Sequence, residues 1–215
     1  MPDLPDAGEH AQDGVAAAFA SARALQLQGA MLLAQRAYED LLAAYPHHLP
    51  SLHMLGLVYA QSGQAQKGVD LLCRVLESEP RNAQAYFGLG FAMCKLRQFA
   101  AGVECYDKAM ALQPQFVEAA CDKGSALIEL REHAQAIASF DQAIAWRPTY
   151  ADAHVYRGNA YMGLGDTDAA IRSYEAGLAH NPEFASGHLN LGNALQAQGD
   201  YTGALACYDR AIALR

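Results

Sequence analysis

Apolar and polar positions along the chain fall into paired helical patterns that recur every 34 residues. The stretch 83–116 shows one pair most plainly. From Ala83 to Leu96, Tyr86, Leu89, Gly90 and Met93 share one helical face. Arg97 and Gln98 then make a short polar break. From Phe99 to Leu112 a second face follows, with Phe99, Gly102, Val103, Tyr106, Ala109 and Met110. Pro114 ends it, because proline has no N–H and disfavours helical backbone at the preceding Gln113. The unit predicted is a helical hairpin.

The same skeleton recurs on both sides. Pro46, Pro80, Pro114, Pro148 and Pro182 are each 34 residues apart, as are Gly56, Gly90, Gly124, Gly158 and Gly192, with Ala22 leading that series. Tyr38, Leu72, Tyr106, Phe140, Tyr174 and Tyr208 keep the same step. A fixed period of this length is the signature of a repeat architecture, in which each unit buries its face against its neighbours. A glycine within a helix costs roughly 1 kcal/mol against alanine. Its return in five units predicts a close helix crossing, such as Gly90 against Gly102 with Tyr106 beside them.

These residues resemble the tetratricopeptide repeat. First helices give Leu52, Leu55, Gly56 and Tyr59; Tyr86, Leu89, Gly90 and Met93; and His188, Leu191, Gly192 and Leu195. Second helices give Ala136, Phe140, Ala143 and Pro148, then Ala170, Tyr174, Gly177 and Pro182. Lys123 and Arg157 depart from the pattern by replacing its Leu, and their stems are expected to cover apolar surface while their charges reach water. The resemblance covers Val15 to Arg215. It implies an all-α, right-handed α-solenoid of about six helix-turn-helix repeats, at 15–48, 49–82, 83–116, 117–150, 151–184 and 185–215.

Composition narrows the partners. The net charge of −8 and the lack of a basic stripe argue against nucleic acid. Met1 to Gly14 is acidic, carries two prolines, and reads as a flexible tail without the features of a secretory signal. Val15–Ala34 is interrupted by Arg23 and reads as the first helix of repeat one rather than a membrane span. Five cysteines (73, 94, 105, 121 and 207) form no close-spaced pair, which predicts reduced thiols and a cytoplasmic setting.

No catalytic constellation emerges, and neither a cofactor nor a metal is expected. His47, His48 and His53 cluster, but adjacent histidines do not readily converge on one ion, and no acidic or Cys partner stands at ligand spacing. His154 and His188 occupy packing positions of the repeat. Cys94 and Cys121 lack a flanking base or cation that would activate a thiol. The glycines sit in helices or turns, never after a strand, so they form no phosphate loop.

The resemblance directs attention to the first helices, which line a concave groove in this family. The groove positions here give an apolar set, His53, Met54, Leu57, Phe87, Phe91, Cys94, Cys121 and Ile128. They also give an acidic and amide-rich set, Glu118, Asp122, Asp152, Tyr156, Asn159, Asn190 and Asn193. Apolar patches rimmed by polar groups mark binding sites, and the expected ligand is a partner's helix or extended peptide. A chaperone-type carboxylate clamp is not present: Asn159 and Asn190 fit two of its positions, but Val155 replaces its first Lys. A looser resemblance, through His188–Gly199 and Tyr86–Gly90, is to the repeats that precede the catalytic domain of O-linked N-acetylglucosamine transferases. Only Asn190 fits the Asn ladder of those proteins.

Repeat six stops at Arg215, just short of the next expected proline. This predicts an uncovered side on the last helix, with Leu205, Tyr208 and Ile212, and either a longer chain or another molecule over that end. The reading is a non-enzymatic protein-interaction scaffold. Its alternatives are the substrate-presenting arm of a larger enzyme such as an O-linked glycosyltransferase, and self-association into a homo-oligomer through the last helix.

Overall fold

The computed structural model describes residues 7–214, and residues 7–12 by their backbone alone. Among the described residues there are twelve helices and no strand. They divide between Gln98 and Phe99 into two compact units. That division falls in the polar break of the 83–116 stretch. The first unit holds α1 (Ala7–Leu27), α2 (Met31–Ala44), α3 (Leu49–Gln61), α4 (Ala65–Ser78) and α5 (Ala83–Lys95). The second holds α6 (Phe99–Leu112), α7 (Val117–Glu129), α8 (His133–Trp146), α9 (Ala151–Leu164), α10 (Thr167–His180), α11 (Ala185–Gln198) and α12 (Tyr201–Ala213). Within each unit, helices adjacent in sequence pack on one another, and alternate helices also meet, as α3 meets α5 and α7 meets α9.

One sequence expectation needs correction. The flexible tail predicted over 1–14 is helical from Ala7 onward. Its two prolines stand at positions 2 and 5, ahead of the helix, and Ala7, Glu9, Ala11 and Gln12 are sound helix formers that outweigh the interspersed Gly8 and Gly14 once the alanine-rich stretch from Val15 continues the helix. Residues 1–6 lie outside the described residues.

The prolines set the helix ends. Helices α2, α4, α6, α8 and α10 each stop two residues before a proline. The residue before it leaves the helical region: Tyr45, Glu79, Arg147 and Asn181 have φ of −131°, −127°, −138° and −136°. A following proline ring disfavours helical backbone at this residue, so the helix cannot continue through it. Inside the hairpins a second position repeats. Gly29, Gly63, Arg97, Arg131, Gly165 and Gly199, each 34 residues apart, have φ between 60° and 94°. Glycine adopts this left-handed conformation freely, and arginine does so at a cost of about 1–2 kcal/mol.

The hairpins close over small residues in two ways. In α3 and α4 the backbones approach closely: a Cβ on Gly68 would lie 2.6 Å from the Gly56 carbonyl oxygen. In the second unit an aromatic ring takes the space instead. Phe140 lies on Gly124 and Tyr208 on Gly192, each with ring atoms 2.6 Å from where a Cβ would stand, and Tyr174 covers Gly158 likewise. There the partner small position is Ala136, Ala170 or Ala204, all buried.

Polar side chains lie between these layers. Lys123 pairs with Asp107, and Arg157 one repeat later pairs with Asp141, each at 2.6 Å. The charges therefore reach carboxylates of the preceding second helix. As half-exposed pairs they add little stability, about 0–1 kcal/mol each. His154 and His188 bridge differently: each ring Nε2–H donates to a proline carbonyl in the preceding loop, Pro148 at 2.8 Å and Pro182 at 2.9 Å. Burial, above all, holds the His154 pKa below its ordinary value.

Two outcomes test this account by chemical denaturation. Gly158→Ala should lower stability: overpacking against the buried Tyr174 ring costs about 1–3 kcal/mol, which outweighs the roughly 1 kcal/mol gained in helix propensity. Arg131→Gly should raise stability by about 1 kcal/mol, because it relieves the left-handed backbone.

Candidate functional site

In the first unit the expected apolar face is carried by α3 and α5. His53, Met54, Leu57, Phe87, Phe91 and Cys94 are all half-buried. Phe87, Phe91 and Cys94 follow one another at i, i+4 and i+7, so they form a stripe along one side of α5. Leu57 of α3 reaches this helix through a gap left by Gly88: a Cβ there would stand 2.8 Å from Leu57 Cδ2. Met54 packs on the cluster of Ala22, Ala34, Tyr38, Leu55, Val58 and Tyr59. The ammonium of Lys95 lies 4.9 Å from the centre of the Phe91 ring, a cation–π contact at the end of the stripe.

His53 faces another space. With Leu49, Pro50, Val75, Glu79 and Asn82 it lines a cavity of about 190 Å³ at the ends of α3 and α4. Burial lowers its pKa, and Glu79 opposes that in part.

A larger cavity, about 630 Å³, lies where α1 meets the end of α2, lined by Val15, Ala16, Ala44, Tyr45, Pro46, His47 and His48. In the sequence these histidines stand out only as a cluster without metal-ligand spacing, which does not reveal the cavity. His48 is held in place there: its Nδ1 lies 2.7 Å from Ser51 Oγ, and its ring meets Phe19 edge-on at 5.5 Å. Among the described residues no three His, Cys, Asp or Glu side chains come together as metal ligands.

In the second unit the expected face is carried by α7, α9 and α11. Cys121 does not belong to it. The residue is 1% exposed within the core cluster, and burial first, then Asp122, pushes its thiol pKa up. Val155, one repeat later in the same register, is likewise fully buried. Asp122 and Tyr156 are half-buried. Tyr156 stands between Phe140, at 6.3 Å, and Phe184, at 6.5 Å. Arg147 joins Glu118 at 2.9 Å and covers the Tyr150 ring at 5.1 Å.

The amides form a seam. Asn159 Oδ1 accepts from Tyr174 Oη and from Asn190 Nδ2, both at 2.9 Å. Asn193 Oδ1 accepts from Tyr208 Oη at 3.0 Å. Asn159 and Asn190 are thus joined across two first helices. Asn159 Nδ2 and Asn190 Oδ1 make no hydrogen bond among the described residues.

The expectation for the last helix also needs correction. Leu205 and Ile212 are 62% and 70% exposed, as expected of an uncovered side. Tyr208 is not part of that side. Its ring lies over Gly192 and its hydroxyl bonds to Asn193 and Gln196, so it closes the last hairpin. Among the described residues no helix is long and apolar enough to cross a membrane.

Comparison with known proteins agrees with this geometry. Models of the tetratricopeptide repeat match residues 49–82 and 156–215, and a TPR repeat model matches 124–165. No curated protein sequence matches. Among solved structures, a MamA crystal structure is 26% identical, covering 74% of this chain and 94% of MamA, with a TM-score of 0.66. MamA 41-end from Desulfovibrio magneticus RS-1 is 20% identical over 77% of this chain and 94% of that one, with a TM-score of 0.68. TTC0263, a thermophilic TPR protein in Thermus thermophilus, is 22% identical over 77% and 91%, with a TM-score of 0.67. These likenesses carry the fold. The period, the paired helices and the three matches agree: the chain belongs to the tetratricopeptide repeat family.

Proposed function

We propose that the chain is a non-catalytic scaffold that holds the apolar face of a partner helix against α3 and α5. The observation that supports it is the Phe87, Phe91, Cys94 stripe beside Leu57, apolar side chains half-exposed on two helices that pack on each other. Such surfaces receive amphipathic helices through anchors at the same helical spacing. Met54, unbranched and adaptable, suits a surface that fits itself to its ligand. In the second unit the amide seam suits an extended peptide. Asn159 offers a donor and Asn190 an acceptor, the two groups of one peptide unit, with Asp122, Tyr156 and Asn193 beside them. The reading places this work in the cytoplasm.

A second reading, self-association, is favoured by the exposure of Leu205 and Ile212 on α12.

Two experiments test these readings. The chain and its Phe91→Glu variant are compared in affinity capture from source-cell lysate, with helical content checked by circular dichroism. A protein held by the first and lost by the second, at equal helicity, is the expected result, and identical retention by both rules out the apolar face. Light scattering over a dilution series tests self-association, where mass should rise with concentration and a monomer throughout excludes it.

A further inference from the structure

The interior of the second unit shows how one repeat is laid on the next. Ile137 and Ile144 of α8, seven residues apart, pack in one cluster with the buried Ala153 and Ala160 of α9. One repeat later the pattern returns. Ile171 and Leu178 of α10 pack with Ala194 of α11, and a Cβ on Gly187 would stand 3.0 Å from Leu178 Cδ2. In the first unit Leu76 of α4 packs in one cluster with Ala85 of α5. In each of these clusters branched side chains of a second helix lie together with small residues of the following first helix, and Leu178 meets Gly187 directly.

Both halves of this contact recur uncovered. By the 34-residue step, Leu205 and Ile212 of α12 correspond to Ile137 and Ile144. They are 62% and 70% exposed. By the same step, Ala17 and Ala24 of α1 correspond to Ala153 and Ala160. Both are exposed, whereas Ser51, Ala85, Ala119 and Ala153, which follow Ala17 in the register, are 0% exposed.

We propose that α12 of one copy seats on α1 of a second copy, with Leu205 and Ile212 over Ala17 and Ala24. The packing between repeats then continues head to tail between molecules. The proposal rests on the self-association reading and adds to it the surface that α12 meets. A second α12 is the poorer partner: it would set large side chains on large ones, without the small residues found in every interior contact described above. A head-to-tail contact is heterologous, so each bound copy keeps one face of each kind, and growth continues unless a ring closes.

A complementation experiment tests it. One variant carries Leu205→Glu and Ile212→Glu; the other carries Ala17→Glu and Ala24→Glu. All four positions are exposed, and circular dichroism checks the fold. By sedimentation velocity, the unaltered chain should grow beyond a dimer as concentration rises. Each variant alone should be monomeric. Their equimolar mixture should give a dimer and nothing larger, because one intact α12 meets one intact α1. If the α1 variant still associates by itself, the head-to-tail contact is wrong while self-association through α12 stands; a mixture that stays monomeric overturns the contact as well. If the unaltered chain is monomeric throughout, both fail. Should either double variant lose helicity, Leu205→Ser and Ala24→Gln replace them. Each should weaken association about tenfold or more, and an unchanged association constant would overturn the proposal.

Discussion

A small residue beneath a large one is the contact on which the second unit depends, and Leu72 against Gly56 repeats it in the first. Phe140 lies on Gly124, Tyr208 on Gly192, and Ile137 and Ile144 pack with Ala153 and Ala160. Each brings two helices closer than two large side chains would allow. An aromatic ring buries about 150–250 Å², and each square ångström is worth roughly 25 cal/mol. That gain exceeds the roughly 1 kcal/mol a helical glycine costs. Removing the glycine would therefore improve the helix and spoil the packing.

The sequence showed the frame of this arrangement clearly because its strongest signals act locally. A proline acts on its own residue and the one before it, so helix ends two residues ahead of Pro46, Pro80, Pro114, Pro148 and Pro182 are readable without any tertiary knowledge. The left-handed turn is readable at Gly29, Gly63, Gly165 and Gly199. It is hidden at Arg97 and Arg131, since no side-chain type announces that its backbone has been forced there. Only the 34-residue register would have shown it.

The candidate faces were less legible. Repeat position says which side of a helix a residue occupies, but not how deeply its neighbours cover it. Cys121 and Phe91 were both assigned to the groove face, yet Cys121 is buried and Phe91 half-exposed. Size does not decide it: Cys94, also a thiol, is half-buried, while Val155, one repeat on from Cys121 and larger, is fully buried. Tyr208 was misjudged because its long ring folds back over Gly192 instead of standing out beside Leu205. The physical effect of Gly88, room for Leu57, depends on the neighbouring helix and is invisible in the sequence. His48 likewise owes its place to Ser51 and Phe19.

Two kinds of position therefore run along the chain with different physical duties. The series from Ser51 through Ala85, Ala119 and Ala153 stays small, because each member is enclosed by the preceding helix. Three residues further on, Met54, Gly88, Asp122, Tyr156 and Asn190 share a register and almost nothing else: thioether, hydrogen, carboxylate, phenol and amide. All but Gly88 are half-buried, so the packing limits them only weakly. Chemistry can vary at the second series because the first fixes the backbone beneath it. This separation explains why the fold follows from period and proline alone, while the ligand must be argued one side chain at a time.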